Sequence, residues 1–147
     1  MIVVIFGQPH SGKSTLADEL YKGINPLKLP INIDGDQLRD IFKNKDFSKE
    51  GRIKNLNKAS DIALFLNSIG YNPILSLVYP YKETREYLNS LCDNVKWIYL
   101  TYDEVRGRET FHVKDFEEPE NENYLHLSTS EMTKENCLYS IRKYITK

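Results

Sequence analysis

The run Gly7-Gln8-Pro9-His10-Ser11-Gly12-Lys13-Ser14 constrains this chain more than any other stretch. It fits Gly-x-x-x-x-Gly-Lys-Ser/Thr in full. An apolar run at residues 2–6 precedes it, and a helix-like run with Leu16, Ala17 and Leu20 on one face follows it. A strand before and a helix after are the context in which this spacing makes a phosphate-binding loop. The glycines let successive backbone N–H groups turn inward toward phosphate oxygens, and the helix starting near Lys13 adds its positive end. Lys13 can reach the outer phosphates and the Ser14 hydroxyl can hold Mg²⁺. The plainer alternative is a glycine turn between a strand and a helix. The context favours a nucleoside triphosphate site, with ATP and Mg²⁺ as the expected ligands and residues 7–15, through Thr15, as its lining.

Composition narrows the rest. The chain has 147 residues, enough for one domain with a real core. Its formal net charge is −1, so no global field draws it to nucleic acid or to an anionic membrane. The first strand begins at the first residues, so neither a signal nor a transit peptide is expected, and a cytoplasmic location is. No apolar run has membrane-spanning length. Cys92 and Cys137 lie far apart without metal-ligand spacing and read as reduced structural residues. His10, His112 and His126 form no spaced cluster, so no zinc site is expected.

Apolar runs alternate with helical patterns, which predicts an α/β fold on a parallel sheet. Strands are expected at residues 2–6, 29–33, 73–78, 95–100 and 124–127. A long helix should carry Ile53, Leu56, Ala59, Ala63 and Leu66 and stop at Gly70. The strand at 73–78 reads as buried on both faces. A last helix is expected over 131–144, with Ser130 as its N-cap. Residues 117–123 read as a solvated surface loop.

Ligands of open α/β sheets bind beyond the carboxyl ends of the strands. The phosphate loop, Asp34 and Asp36 with Arg39, the 76–81 stretch, and Arg106 and Arg108 all fall there. A carboxylate beside a phosphate loop can hold Mg²⁺ through water, as Asp34 would with Ser14. It can equally orient and deprotonate an acceptor hydroxyl. Alone, Asp-Gly-Asp is a turn and helix cap.

Taken together, the motifs resemble one family. Asp34-Gly35-Asp36-Gln37-Leu38-Arg39 is similar to the Asp-Gly-Asp-Asn-x-x-Arg motif of adenylylsulfate kinases. Phe47-Ser48, Arg52 and Asn55 follow at that family's offsets, and Ser76-Leu77-Val78-Tyr79-Pro80-Tyr81 leads to Arg85 as its third-strand motif does. The resemblance implies a P-loop kinase fold: a parallel five-stranded sheet with helices on both faces, in one domain over residues 1–147. It implies ATP-dependent phosphorylation of the 3′-hydroxyl of adenosine 5′-phosphosulfate, as in sulfate assimilation. By position, Asp36 is the acceptor-side carboxylate, with Lys13 and Arg39 beside it in catalysis. Arg39, Arg52 and Asn55 would contact the phosphosulfate or ribose, Phe47 the adenine, and Val78 and Tyr79 the acceptor wall. Core packing is the plainer role for Phe47, and a solvated helix face for Arg52.

Three departures stand out. Leu56-Asn57-Lys58 replaces an arginine-rich run, Tyr79 replaces a serine, and the basic, aromatic lid after the fourth strand is largely missing. Arg106 or Arg108 could cover the phosphates instead. Phe111, with His112 and Lys114, either forms a minimal lid or is a surface connector. The expected partner is a small nucleotide, and pairing of two copies stays open. Two other readings remain: a P-loop kinase of the same fold with a different nucleotide or small-molecule acceptor, and a catalytically weak nucleotide-binding module.

Overall fold

Five strands form one sheet in the order β2-β3-β1-β4-β5, every neighbouring pair parallel. They are β1 (Ile2–Gly7), β2 (Pro30–Asp34), β3 (Asn72–Ser76), β4 (Val95–Thr101) and β5 (Tyr124–Ser128). The helices are α1 (Lys13–Lys22), α2 (Gly35–Phe42), α3 (Lys49–Ser68), α4 (Lys82–Leu91) and α5 (Lys134–Ile145). This computed structural model describes residues 1–23, 28–107 and 109–147.

The apolar strands sort their side chains by the two-residue period of extended chain. Along β1, Ile2, Val4 and Phe6 face α3 and α4, packing with Leu56, Ala59, Ala63 and Leu88. Val3 and Ile5 face the other way, onto Leu16, Ala17 and Leu20 of α1 and Leu138 and Ile141 of α5. Both faces of β1 are therefore covered, as a continuous apolar run in a parallel sheet requires. The phosphate loop leaves this central strand. Among the described residues, no helix is long and apolar enough to cross a membrane.

Three expected boundaries move for identifiable reasons. β3 ends at Ser76, where its pairing with Ile5 and Asp34 runs out, and not at Val78. Three residues later Tyr79 takes a left-handed φ of 45° ahead of Pro80, which no strand tolerates. β2 starts at Pro30 because Leu29 also has a positive φ, 47°. α5 begins at Lys134 under Thr133, whose side chain accepts from the Asn136 N–H. Ser130 has another partner: its Oγ accepts from the Asp103 N–H at 2.9 Å. Gly70 does end α3, at φ 99°. Cys92 and Cys137 are unpaired, as expected.

Candidate active site

The phosphate loop can pass beneath β4 only because its first residue is glycine. Gly7 has φ 149°, and a Cβ there would collide with the Leu100 carbonyl oxygen. The loop then rises to Gly12 and α1. Pro9, His10, Gly12, Lys13, Ser14 and Thr15 line a cavity of about 760 Å³. Gly7 and Ser11 are buried and outside the lining; Gln8 also lies outside it, and its side chain is hydrogen-bonded to the Val113 backbone.

Lys13 is buried and lays its ammonium on the Gln8 carbonyl at 2.9 Å. Burial lowers its pKa to about 8, although the nearby Asp36 and Asp34 carboxylates pull the other way. Ser14 Oγ donates to Asp34 Oδ2 at 3.3 Å. The other Asp34 oxygen caps α2, accepting from the Asp36 N–H at 2.7 Å. Asp34 is thus both a cap and a carboxylate aimed at the Ser14 hydroxyl. A hydroxyl and a carboxylate oxygen side by side are hard donors of the type Mg²⁺ takes when phosphates and water supply the rest. Among the described residues, no group of three or more His, Cys, Asp or Glu could form an all-protein metal cage.

The opposite wall comes from α2, α3 and the chain after β3. Asp36, Arg39, Phe47, Arg52, Asn55, Ser76 and Val78 all line the same cavity. The 43–48 turn that carries Phe47 is tied down locally. Arg39 donates to the Asn44 and Asp46 carbonyls at 3.2 and 3.1 Å, and its guanidinium lies 4.2 Å from the Phe47 ring centroid. Gly51 lets that turn close, because a Cβ there would strike Asp46. Burial, and then the charge of nearby Arg52, make Arg39 easier to deprotonate than an ordinary arginine. An anion between the two guanidiniums would relieve that repulsion. Asn55 Oδ1 and Ser76 Oγ are buried in this wall without a hydrogen-bond partner. Buried polar atoms are ordinarily paired, so these two call for a ligand or water.

Other residues lie elsewhere than the sequence suggested. Tyr79 does not reach the cavity. Its positive φ turns the ring into the core, fully buried against Trp97, with its hydroxyl 2.9 Å from Ser60 Oγ. Arg106 is outside the wall. Its guanidinium is held over the Tyr102 ring, paired with Glu104, and donates to the His10 carbonyl at 2.9 Å. It braces the phosphate loop from behind. Arg108 lies outside the described residues. Phe111 and His112 line the cavity, together with Val113.

The 117–123 stretch is more than a solvated loop. Arg85 is 1% exposed and pairs with Glu122 at 3.0 Å; it also donates to the Tyr79 and Glu117 carbonyls at 2.8 and 2.9 Å. The buried arginine therefore clips this stretch to the chain following β3. Arg85 stood in the sequence only as the end of a motif, and a glutamate 37 residues later carried no signal.

The profile of the adenylylsulphate kinase family matches residues 1–113. A cytidine diphosphoramidate kinase of Campylobacter jejuni is 31% identical over 103 residues, covering 69% of this chain and 61% of that protein. An adenylyl-sulfate kinase of Staphylococcus epidermidis is 31% identical over 99 residues, covering 66% of this chain and 50% of that one. The chain therefore spans only half to three fifths of these two relatives. The solved APS kinase of Mycobacterium tuberculosis, in complex with AMPPNP and APS, superposes with a TM-score of 0.81 at 18% identity, covering 99% of this chain and 97% of that one. That likeness carries the fold. The matched profile, with the phosphate loop and both cavity walls inside it, means that this chain belongs to the adenylylsulphate kinase family.

Proposed function

We propose that this chain moves the terminal phosphoryl group of ATP to a ribose 3′-hydroxyl of a small nucleotide bearing a further anionic group beyond its 5′-phosphate. Adenosine 5′-phosphosulfate is the foremost acceptor. One observation carries the reading. A single cavity joins the phosphate loop to a wall with a carboxylate, two arginines and two buried unpartnered polar groups. A pure nucleotide binder has no use for that second wall.

In this reading the acceptor hydroxyl attacks the terminal phosphorus and gives its proton to Asp36. The bond to the bridging oxygen breaks, and ADP leaves. Catalysis of this kind is mainly positioning and charge neutralisation. Lys13 meets the charge that builds on the transferred group. Ser14 and Asp34 would hold Mg²⁺, which neutralises outer-phosphate charge when bound. Arg39 and Arg52 grip the acceptor's anionic end, and Asn55 and Ser76 take its polar groups. Phe47 offers a face to its base.

A second acceptor class is favoured by Tyr79. It stands where the family pattern has a serine, and its hydroxyl is spent in the core on Ser60. The acceptor wall has one hydroxyl fewer for a sulfonate, and the relative from Campylobacter jejuni is a cytidine diphosphoramidate kinase by name. A coupled assay for ADP formation separates the readings. The panel is adenosine 5′-phosphosulfate, its sulfate-free analogue and a cytidine diphosphoramidate. Acceptor-dependent ADP release is expected with one of the two acceptors that carry a group beyond the 5′-phosphate and much less with the sulfate-free nucleotide. Release equal to that without acceptor across the panel would contradict the reading.

Arg52→Ala and Asn55→Ala are expected to raise the acceptor KM about tenfold or more each, since a hydrogen bond to a charged group is worth about 1.5–3 kcal/mol. The ATP KM should hardly move. Initial rates with each substrate varied in turn check this, and equal losses for both substrates would mean that α3 itself is disturbed.

A further inference from the structure

Side-chain hydrogen bonds fasten the phosphate loop to the segment after β4. Gln8 makes the main join. Its amide nitrogen donates to the Val113 carbonyl at 2.9 Å, and its Oε1 accepts from the Val113 N–H at 2.9 Å. One side chain thus satisfies both backbone groups of a buried residue 105 positions away. A second join lies beside it. The Tyr102 hydroxyl donates to the Pro9 carbonyl at 2.8 Å and lies 2.6 Å from His112 Nε2. A phenol has one hydrogen and a carbonyl can only accept, so His112 Nε2–H is the donor to Tyr102. That bond fixes the tautomer and the ring orientation of His112.

The far end of the segment is tied to the acceptor wall. The Glu117 N–H donates to the Pro80 carbonyl at 2.7 Å, and Arg85 holds the Glu117 carbonyl. Residues 112–117 therefore bridge the cleft from the phosphate loop to the chain after β3. Immediately ahead of the first tie, next to His112, stands Phe111, 66% exposed yet lining the cavity. An exposed ring on a fastened segment, facing a cavity, is placed for something flat.

We propose that Gln8 is a positioning residue: it clamps this strap to the phosphate loop so that Phe111 stands over the cavity, ready to cover the base of a bound nucleotide. The strap does in a fixed position what a longer lid does by closing, with less ordering left for the binding step. This rests on reading the cavity as a nucleotide site.

The test compares Gln8→Leu, Phe111→Ala and the double variant by calorimetry. The probes are ATP, adenosine 5′-phosphosulfate and inorganic triphosphate, which has phosphates but no base. Loss of a base–aromatic stack corresponds to roughly fivefold or more in affinity. Each single variant should weaken at least one of the two nucleotides by about that much, and the double variant should be no weaker than Gln8→Leu, because a freed strap no longer places the ring. Inorganic triphosphate should bind all forms alike. Additive losses, unchanged binding of both nucleotides, or an equal loss for inorganic triphosphate would each overturn the proposal; the last would mean that Gln8 shapes the phosphate loop itself. Hydrogen exchange at the Val113 amide supplies a readout independent of ligand. It should be slow in the wild type and fast in Gln8→Leu, and equal protection in both would show that no clamp exists. Wild-type protein that binds none of the three probes while keeping that protection would instead refute the nucleotide reading of the cavity.

Discussion

Lys13→Ala is expected to lower kcat by about a hundredfold or more while leaving the fold intact. A preorganised donor aimed at developing charge is worth about 2.7–4 kcal/mol. The fold should not suffer, because burial already works against the charged lysine and lowers its pKa to about 8. The sign follows from proton linkage. From pH 8 up to the ordinary lysine value of 10.5, the unfolded chain binds the proton that the folded chain has released. Stability therefore rises with pH through that window, and the cost of charging Lys13 is fully present below it. Function has the opposite dependence, since only the charged ammonium attracts phosphates. kcat/KM for ATP, which reports the free enzyme, should fall above pH 8, whereas kcat should hold to higher pH because bound phosphates favour the charged lysine. Steady-state rates across pH check this. A Lys13→Ala variant with near-wild-type kcat would remove the phosphate loop from the chemistry.

Arg85→Ala should cost more stability than any change in the cavity. The guanidinium is 1% exposed, and its partners are the Glu122 carboxylate, 18% exposed, and two backbone carbonyls. Truncating it strands all of them. Breaking a buried pair from one side costs about 3–5 kcal/mol, a large share of the roughly 5–15 kcal/mol that holds a domain folded. Arg85→Lys keeps the charge without the planar fork, so partial recovery is expected. Urea unfolding midpoints of the two variants measure the effect. Wild-type stability in Arg85→Ala would mean that the 117–123 stretch is a free surface loop after all.

These two predictions rest on residues of different visibility. Lys13 was legible because its neighbours impose a local rule: glycines where the chain must turn, an apolar run before and a helix after. Asp36, Arg39, Phe47, Arg52 and Asn55 were legible by spacing, and they meet in one cavity because α2 and the start of α3 return to the sheet edge that the phosphate loop leaves. What escaped was set by single torsions or by distant partners. Tyr79 looked like a wall residue until its positive φ sent the ring into the core. Arg106 looked like a phosphate cover, but Glu104, Tyr102 and the His10 carbonyl hold it behind the loop. The Gln8–Val113 and Arg85–Glu122 joins span 105 and 37 residues, and neither has a periodicity that a sequence could display. Gly51 carries no motif of its own, although it is the residue that lets the 43–48 turn close on α3.

Transfer of label from terminally radiolabelled ATP to a nucleotide acceptor tests the account most directly, with wild type and Asp36→Asn run side by side. Asp36 sits at the start of α2, on the cavity wall that also holds Arg39 and Arg52. In the wild type, label should enter the acceptor in step with ADP formation. Asp36→Asn should still bind ATP but transfer label about a hundredfold more slowly or worse, the range expected on losing a general base. Label released only as inorganic phosphate with every acceptor, or carried to the acceptor by Asp36→Asn at the wild-type rate, would contradict the account.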